Sequence, residues 1–268
     1  MKTLYSTIIA LFVTITFISA QDTLYVYKSG AVISKCAVND LDSMSFTYSP
    51  PETGTATDID GNVYHWISIG TQKWMVENLK VTKYCTGESI SNVTDATAWR
   101  NATFGAWCDY NNNSSNGVKY GHLYNRVAIM DSRKIAPVGW HIPSDDDWNL
   151  LQNYLIASGY NYDVTTSGNK IAKSLASQTD WTINSTLGCP GNNLINNNST
   201  GFTGLPGGKR LDTDGTFTGT GSYAYWWSTT RGGAGDTRGR SILNNVVSLN
   251  LDMYSSSLPG LSVRCIKD

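Results

Sequence analysis

The chain has 268 residues and a formal net charge of −1, with 20 Lys and Arg against 21 Asp and Glu. That balance, with no basic run, excludes the electrostatic footprint of a nucleic-acid binder or of a protein held on an anionic membrane surface. The length allows one large domain with a small extension.

Residues 1–20 read as a secretory targeting segment: Lys2 gives the positive start, Ile8 to Ile18 is the apolar run, and Ser19-Ala20 offers small residues for cleavage. The run is shorter than the ~20 residues a bilayer crossing needs, so no membrane span is expected after cleavage. The first Cys is Cys36, too far from the cleavage site for a lipid anchor.

Residues 21–48 read as a small β module. Thr23 to Tyr27 and Ala31 to Ile33 have strand propensity around a Ser29-Gly30 turn, and Met44 to Tyr48 alternates large and small side chains. Residues 49–56, with Pro50-Pro51, read as a linker. All nine Trp stand at Trp66 or later, which places the main domain at 57–268.

In that domain Asp60-Gly61 is a hairpin turn. Val63 to Ile69 and Lys73 to Leu79 flank Gly70-Thr-Gln72 as a second hairpin. Asp58, Asp60 and Asn62 have the spacing of an EF-hand start, but no Glu closes the loop. A short helix is expected within Gly121 to Met130. Ser144 and Asp147 form a capping box, and Trp148, Leu151 and Leu155 share one face of the helix that follows, with Leu150 and Tyr154 beside them. Trp140 and Trp148 are therefore expected in the core. Asp145 to Asp147 suit the positive end of the helix dipole; the competing reading is a metal site. A third helix is expected within Asn169 to Ser177. Asn-rich stretches at 111–116 and 192–199 and Gly-rich turns in the second half are loops, either covered by packed aromatics or forming the functional face.

Tyr223 to Arg231 carries the candidate binding residues. Adjacent strand residues face opposite sides. One of Trp226 and Trp227 can therefore be core while the other stacks on a sugar ring beside Tyr223 and Tyr225; alternatively both are buried. Arg231, Asp236 and Asn244 or Asn245 could add polar contacts to hydroxyls. Five Cys permit two disulfides and one odd thiol, with Cys36 the expected odd one. Alternatively the thiols, Cys108 and Cys265 among them, pack as small hydrophobes.

Catalytic patterns are sparse. His65, His122 and His141 lack metal-protease spacing, and His141, between Trp140 and Ile142, reads as a core His. No Gly-x-Ser-x-Gly elbow, phosphate loop or dinucleotide fingerprint occurs.

Trp74-Met-Val-Glu-Asn-Leu79, Tyr120-Gly-His-Leu-Tyr-Asn125, Pro137-Val-Gly-Trp-His-Ile-Pro-Ser144, Gly201-Phe-Thr-Gly-Leu-Pro-Gly-Gly208, Trp226-Trp-Ser-Thr229 and Ser262-Val-Arg-Cys265, in that order, resemble the Fibrobacter succinogenes major paralogous domain over about 57–268. The resemblance implies an exported bacterial protein and a fold related to C-type lectins and to the formylglycine-generating enzyme. Two departures stand out. Ala136 occupies a position where many similar chains carry Cys, and only Cys265 lies beyond Cys189, so the enzyme's paired cysteines have no counterpart.

The expected fold class is thus α+β: a C-type-lectin-like domain of short strands, few helices and long loops behind a small β module. The expected function is non-enzymatic binding or adhesion in the cell envelope, periplasm or outer surface, with glycan or extracellular matrix as partner. No cofactor is expected, calcium being the single ion considered. An enzyme on the formylglycine-generating scaffold and a structural surface component without a fixed ligand are the alternatives.

Overall fold

The computed structural model describes residues 23–28, 31–37, 50–232, 236–254 and 259–268. The chain divides into two units, 1–49 and 50–268. In the first, β1 (Thr23–Lys28) and β2 (Ala31–Ala37) pair as an antiparallel hairpin whose register shifts at Val26/Tyr27. The targeting segment 1–20 and the strand expected at 44–48 lie outside the described residues.

The strands of the second unit are β3 (Thr53–Thr57), β4 (Val63–Ile69), β5 (Gln72–Met75), β6 (Ser91–Asn92), β7 (Ala106–Cys108), β8 (Leu123–Tyr124), β9 (Trp140–His141), β10 (Gly207–Arg210), β11 (Phe217–Thr220), β12 (Tyr223–Arg231), β13 (Thr237–Leu243), β14 (Asn250–Tyr254) and β15 (Ile266–Lys267). The helices are α1 (Ala96–Arg100), α2 (Ser114–Tyr120), α3 (Arg126–Ile129), α4 (Asp145–Ala157) and α5 (Ala172–Leu175). The class is α+β, mostly short strands with few helices.

The largest sheet runs β3-β4-β5-β15-β9. β3 overlaps the stretch assigned above to a linker. Its Thr53 to Thr57 pair residue by residue with β4, so the second unit begins before residue 57. The turn between them is locked by Asp58. Its Oδ1 accepts the backbone N–H groups of Asp60 and Asn62, and its Oδ2 accepts Asn62 Nδ2 and the Tyr64 hydroxyl. Asp60 Oδ2 in turn accepts Thr82 N–H and hydroxyl, and Lys83 pairs with Oδ1. The EF-hand-like spacing therefore serves a turn, with its carboxylate oxygens on protein donors. The second expected hairpin is β4–β5, turning through Gly70 at φ +63°, where a Cβ would strike the Tyr154 ring at 2.8 Å.

The last residues thread the fold. Ile266 pairs with Trp74 on one side and His141 on the other. Leu79 N–H donates to Val263 O, Met75 N–H to Cys265 O, and Trp227 N–H to Ser262 O.

α4 forms as its sequence directs. Ser144 caps it, and Asp147 Oδ2 accepts the Ser144 N–H at 2.8 Å to complete the capping box. Trp148, Leu151 and Leu155 are buried, while Leu150 and Tyr154 fall on the exposed side. Ser144→Ala removes the cap and is expected to lower stability by about 1 kcal/mol in urea unfolding. An unchanged midpoint would mean that another acceptor satisfies the first-turn N–H groups.

The helix expected in 121–130 shrinks to α3, because Leu123 and Tyr124 pair with Cys108 and Trp107 and Asn125 starts the helix by accepting Ala128 N–H. The one expected in 169–177 is α5, with Ile171 and Leu175 buried.

Two large apolar clusters form the core. One holds Tyr64, Met75, Tyr124, Trp140, Trp227 and Cys265. The other holds Trp74, Trp148, Leu155, Phe202, Trp226 and Ile242. Cys85, Cys108, Cys189 and Cys265 are all free thiols, so the expected disulfides do not form among these four. Cys108 and Cys265 pack as small hydrophobes instead, and burial pushes the Cys108 thiol up to about 12. Cys85 donates its S–H to Ala136 O at 2.9 Å, which puts a thiol beside the position where a second Cys is missing.

Candidate functional site

Four of the sequence motifs converge on one buried guanidinium. Arg264 donates to Asn78 Oδ1 through Nε (3.1 Å) and Nη2 (2.8 Å), to Phe202 O through Nη1, and weakly to Thr203 O. Its plane lies 4.3 Å from the Phe202 ring centroid and 5.4 Å from that of Trp226. Trp226 Nε1–H donates to the same Asn78 Oδ1 at 2.9 Å, and Asn78 Nδ2–H donates to Tyr120 O at 2.7 Å. Burial lowers the Arg264 pKa to about 9. The knot is sealed from solvent, so these motifs hold the fold together and present nothing to a ligand.

That arrangement corrects the expected aromatic platform. Trp226 and Trp227 are both 0 % exposed. They do face opposite sides of β12, but each side is core: Trp226 enters the Trp148–Phe202 cluster and Trp227 donates Nε1–H to Tyr124 O at 2.8 Å. The C-terminal residues close over the strand's free edge through the Trp226–Ser262 bridge. The remaining residues of the segment scatter. Tyr223 and Tyr225 are half-buried and stack at 5.7 Å, with Lys209 Nζ 4.6 Å over Tyr225. Arg231 is exposed at the strand end, and Asp236 O accepts Gly232 N–H at 2.7 Å. Asn244 Nδ2 donates to Thr182 O, while Asn245 is exposed. The 111–116 stretch uses its amides locally, Asn112 on Thr94 O and Asn116 on Tyr110 O, with Asn113 capping α2.

Near Tyr225 lies a half-buried acid. Asp252 Oδ2 and the Tyr254 hydroxyl have no hydrogen-bond partner among the described residues, and burial raises the Asp252 pKa. A raised folded-state pKa favours the neutral acid, so this group's contribution to stability is present in acid and lost as pH rises through the folded value. Asp252→Asn is therefore expected to exceed the wild type by about 1 kcal/mol at pH 8. The gap should close toward the ordinary carboxylate range near pH ~4. Equal urea midpoints at pH 8 would show that the carboxylate carries no burial penalty.

A concave surface lies elsewhere. A cavity of about 490 Å³ opens between the loop after α4 (158–164) and the loop at 187–199. Tyr162 lies flat over Gly188, whose added Cβ would meet the ring at 2.3 Å, so a glycine is required there. Asn161 braces the first loop by accepting Lys170 N–H at 2.9 Å and donating to Thr165 O at 2.8 Å. Lys173 braces the second from below: its Nζ donates to Asn192 O, to Asn193 O at 3.0 Å and to Asn197 Oδ1 at 2.8 Å. Those three acceptors occupy its N–H groups, and burial lowers its pKa. The side chains of Asn193 and Asn196 stand exposed at the opening, with Tyr162, Val164 and Leu187 as apolar rim. The described residues that line the cavity include no carboxylate, imidazole or thiol. The sequence signal was present in the Tyr160-Asn-Tyr162 string and the Asn-rich run, but nothing local shows that they meet.

Three acid–imidazole pairs lie outside it. His65 Nδ1 is 2.7 Å from Glu77 on the surface. His122 Nδ1 is 2.7 Å from Asp109, stacks 4.1 Å from Trp107, and has its pKa lowered by burial. His141 is half-exposed between Asp268 (2.6 Å) and Asp147 (3.4 Å). It is a surface bridge and not the core His expected. The acidic triplet is likewise structural, since Asp145 pairs with Arg238 (2.6 Å) and Arg240 (3.1 Å). Among the described residues no group of three or more His, Cys, Asp or Glu is placed to hold a metal ion, and no helix is long and apolar enough to cross a membrane.

The family model described as the Fibrobacter succinogenes major domain matches residues 67–267. No curated protein and no solved structure matches the chain.

Proposed function

The chain belongs to the Fibrobacter succinogenes major domain family, and from that premise we propose that it is an exported, non-enzymatic protein of the bacterial cell envelope that binds glycan. Its α+β unit is read as a C-type-lectin-like domain, and the cleft between 158–164 and 187–199 as the contact surface. The observation that carries this reading is the chemistry of the cleft walls. An aromatic face, small apolar patches and side-chain amides are what a sugar ring needs, the ring stacking through its C–H groups and the amides meeting its hydroxyls. The described residues of the same walls include no carboxylate, imidazole or thiol, and the Lys173 ammonium is engaged by three oxygens, which disfavours the enzyme alternative.

The test is a glycan array with the chain from residue 21 onward, followed by calorimetry on any hit. Tyr162→Ala is expected to weaken binding more than tenfold, about 1.4 kcal/mol, as loss of an interface anchor. Asn193→Ala should weaken it by a smaller factor. Binding should be equal in calcium and in chelator, because the cleft donors are amides and hydroxyls. An array without hits, or a hit that both variants retain at wild-type affinity, overturns the assignment.

A further inference from the structure

A second cavity, of about 430 Å³, lies away from the amide-lined cleft and is walled by Arg126, Val127, Met130, Asp131, Ser132 and Arg231. Two guanidiniums reach it from elements that are fixed independently. Arg126 is the first residue of α3, which Asn125 caps, and Arg231 is the last residue of β12, paired with Thr237. Arg231 is exposed and Arg126 half-exposed. Neither guanidinium has a hydrogen bond or an ion pair among the described residues, whereas the other arginines around the core are engaged: Arg210 on three carbonyls, Arg238 and Arg240 on Asp145, Arg264 on Asn78. The acid in the wall is already neutralised. Asp131 accepts Arg133 Nε at 2.9 Å and Nη2 at 2.8 Å, and Arg133 stacks 3.9 Å from Tyr84. The cavity thus carries two unpaired positive charges over an apolar floor of Val127 and Met130, with a Ser132 hydroxyl at the edge.

We propose that this cavity is an oxyanion site that takes a small ligand bearing one carboxylate or sulfate, clamped between Arg126 and Arg231. Guanidinium forks match the two coplanar oxygens of a carboxylate and two of the three of a sulfate ester, and they bind such groups by paired charge-assisted hydrogen bonds. The apolar floor takes the ligand's carbon skeleton. This site is separate from the glycan cleft, and either can stand without the other.

The test titrates the chain from residue 21 onward with four probes by calorimetry: glucuronate, its methyl ester, glucose 6-sulfate and inorganic sulfate. Glucuronate or glucose 6-sulfate should bind at least tenfold more tightly than the methyl ester, and the stronger of the two identifies the oxyanion. Inorganic sulfate should bind more weakly than either, since it lacks a skeleton for the floor. Arg126→Gln and Arg231→Gln should each weaken the charged probe at least tenfold with an unchanged Tm, and Arg231→Lys should lose less because it keeps the charge without the fork. The affinity should fall as salt rises. Charged probes that bind no better than the ester, or wild-type affinity in both Gln variants, overturn the proposal.

Discussion

Arg264→Ala is expected to destabilise the main unit by on the order of 5 kcal/mol, enough to unfold a domain of ordinary stability near physiological temperature. The guanidinium is fully buried and bonds Asn78 and two carbonyls of the Phe202–Thr203 turn. Hydrogen bonds from a charged donor contribute roughly 1.5–3 kcal/mol each. Their loss would strand the Phe202 carbonyl away from water and leave Asn78 Oδ1 with the Trp226 Nε1–H alone, and the vacated space between Phe202 and Trp226 adds a cavity penalty. Arg264→Lys should recover only part of the loss, because one ammonium cannot span the acceptors that the planar fork reaches. Guanidinium-chloride unfolding of both variants is the measurement. An Arg264→Ala midpoint equal to the wild type's would mean that the knot is not what closes the domain.

Trp148→Ala is expected to lower stability by about 3–5 kcal/mol. Its ring is fully buried, 4.7 Å from Trp74, 5.9 Å from Trp226 and 6.0 Å from Phe202 by centroids. Its Nε1–H has no partner among the described residues, so the loss is one of packing, which makes the cavity estimate apply directly. The comparison that matters is with the cap variant at Ser144, which acts on the same helix with a loss of about 1 kcal/mol. If Trp148→Ala left Tm unchanged, α4 would not be docked through this face. Neither variant should alter binding in the amide-lined cleft once folded.

The elements that the sequence makes legible are those whose determinants are local. The α4 cap, its apolar face and the β4–β5 hairpin are written in adjacent residues, and each stands where expected. Trp226 and Trp227 show the limit. Alternation states that neighbours face opposite sides, but whether a side is wet depends on what covers it. The cover over β12 comes from residues near 262. The linker misassignment has the same origin: Pro50-Pro51 and the small residues after it are turn-prone, yet pairing with β4 makes Thr53 to Thr57 a strand. Cysteine counting fails for a related reason, since an even subset permits pairing but only proximity decides it. Of the residues proposed to contact ligand, Arg231 lines a cavity, with Arg126, which no reading of the sequence singled out. The cleft itself depends on Lys173 of α5 holding the 192–197 stretch and on Tyr162 packing over Gly188, and such meetings leave no periodic trace.

The position of β15 has a consequence for how the molecule comes to be folded. The strand that ends at Lys267 lies between β5 and β9 in the largest sheet, and Arg264 just before it completes the central knot. A chain emerging from its N-terminus therefore holds both core clusters open, with Trp74, Trp140 and Trp227 awaiting partners from residues 262–267. Closing loops of that span carries a large entropic toll before any contact rewards it, which places folding in the slow regime of non-local topologies. Until then the nascent chain exposes unpaired sheet edges and aromatic surface, the species on which chaperones act. Folding of this unit therefore waits until the residues around Arg264 and β15 have been made, and removing them would return it to that open state.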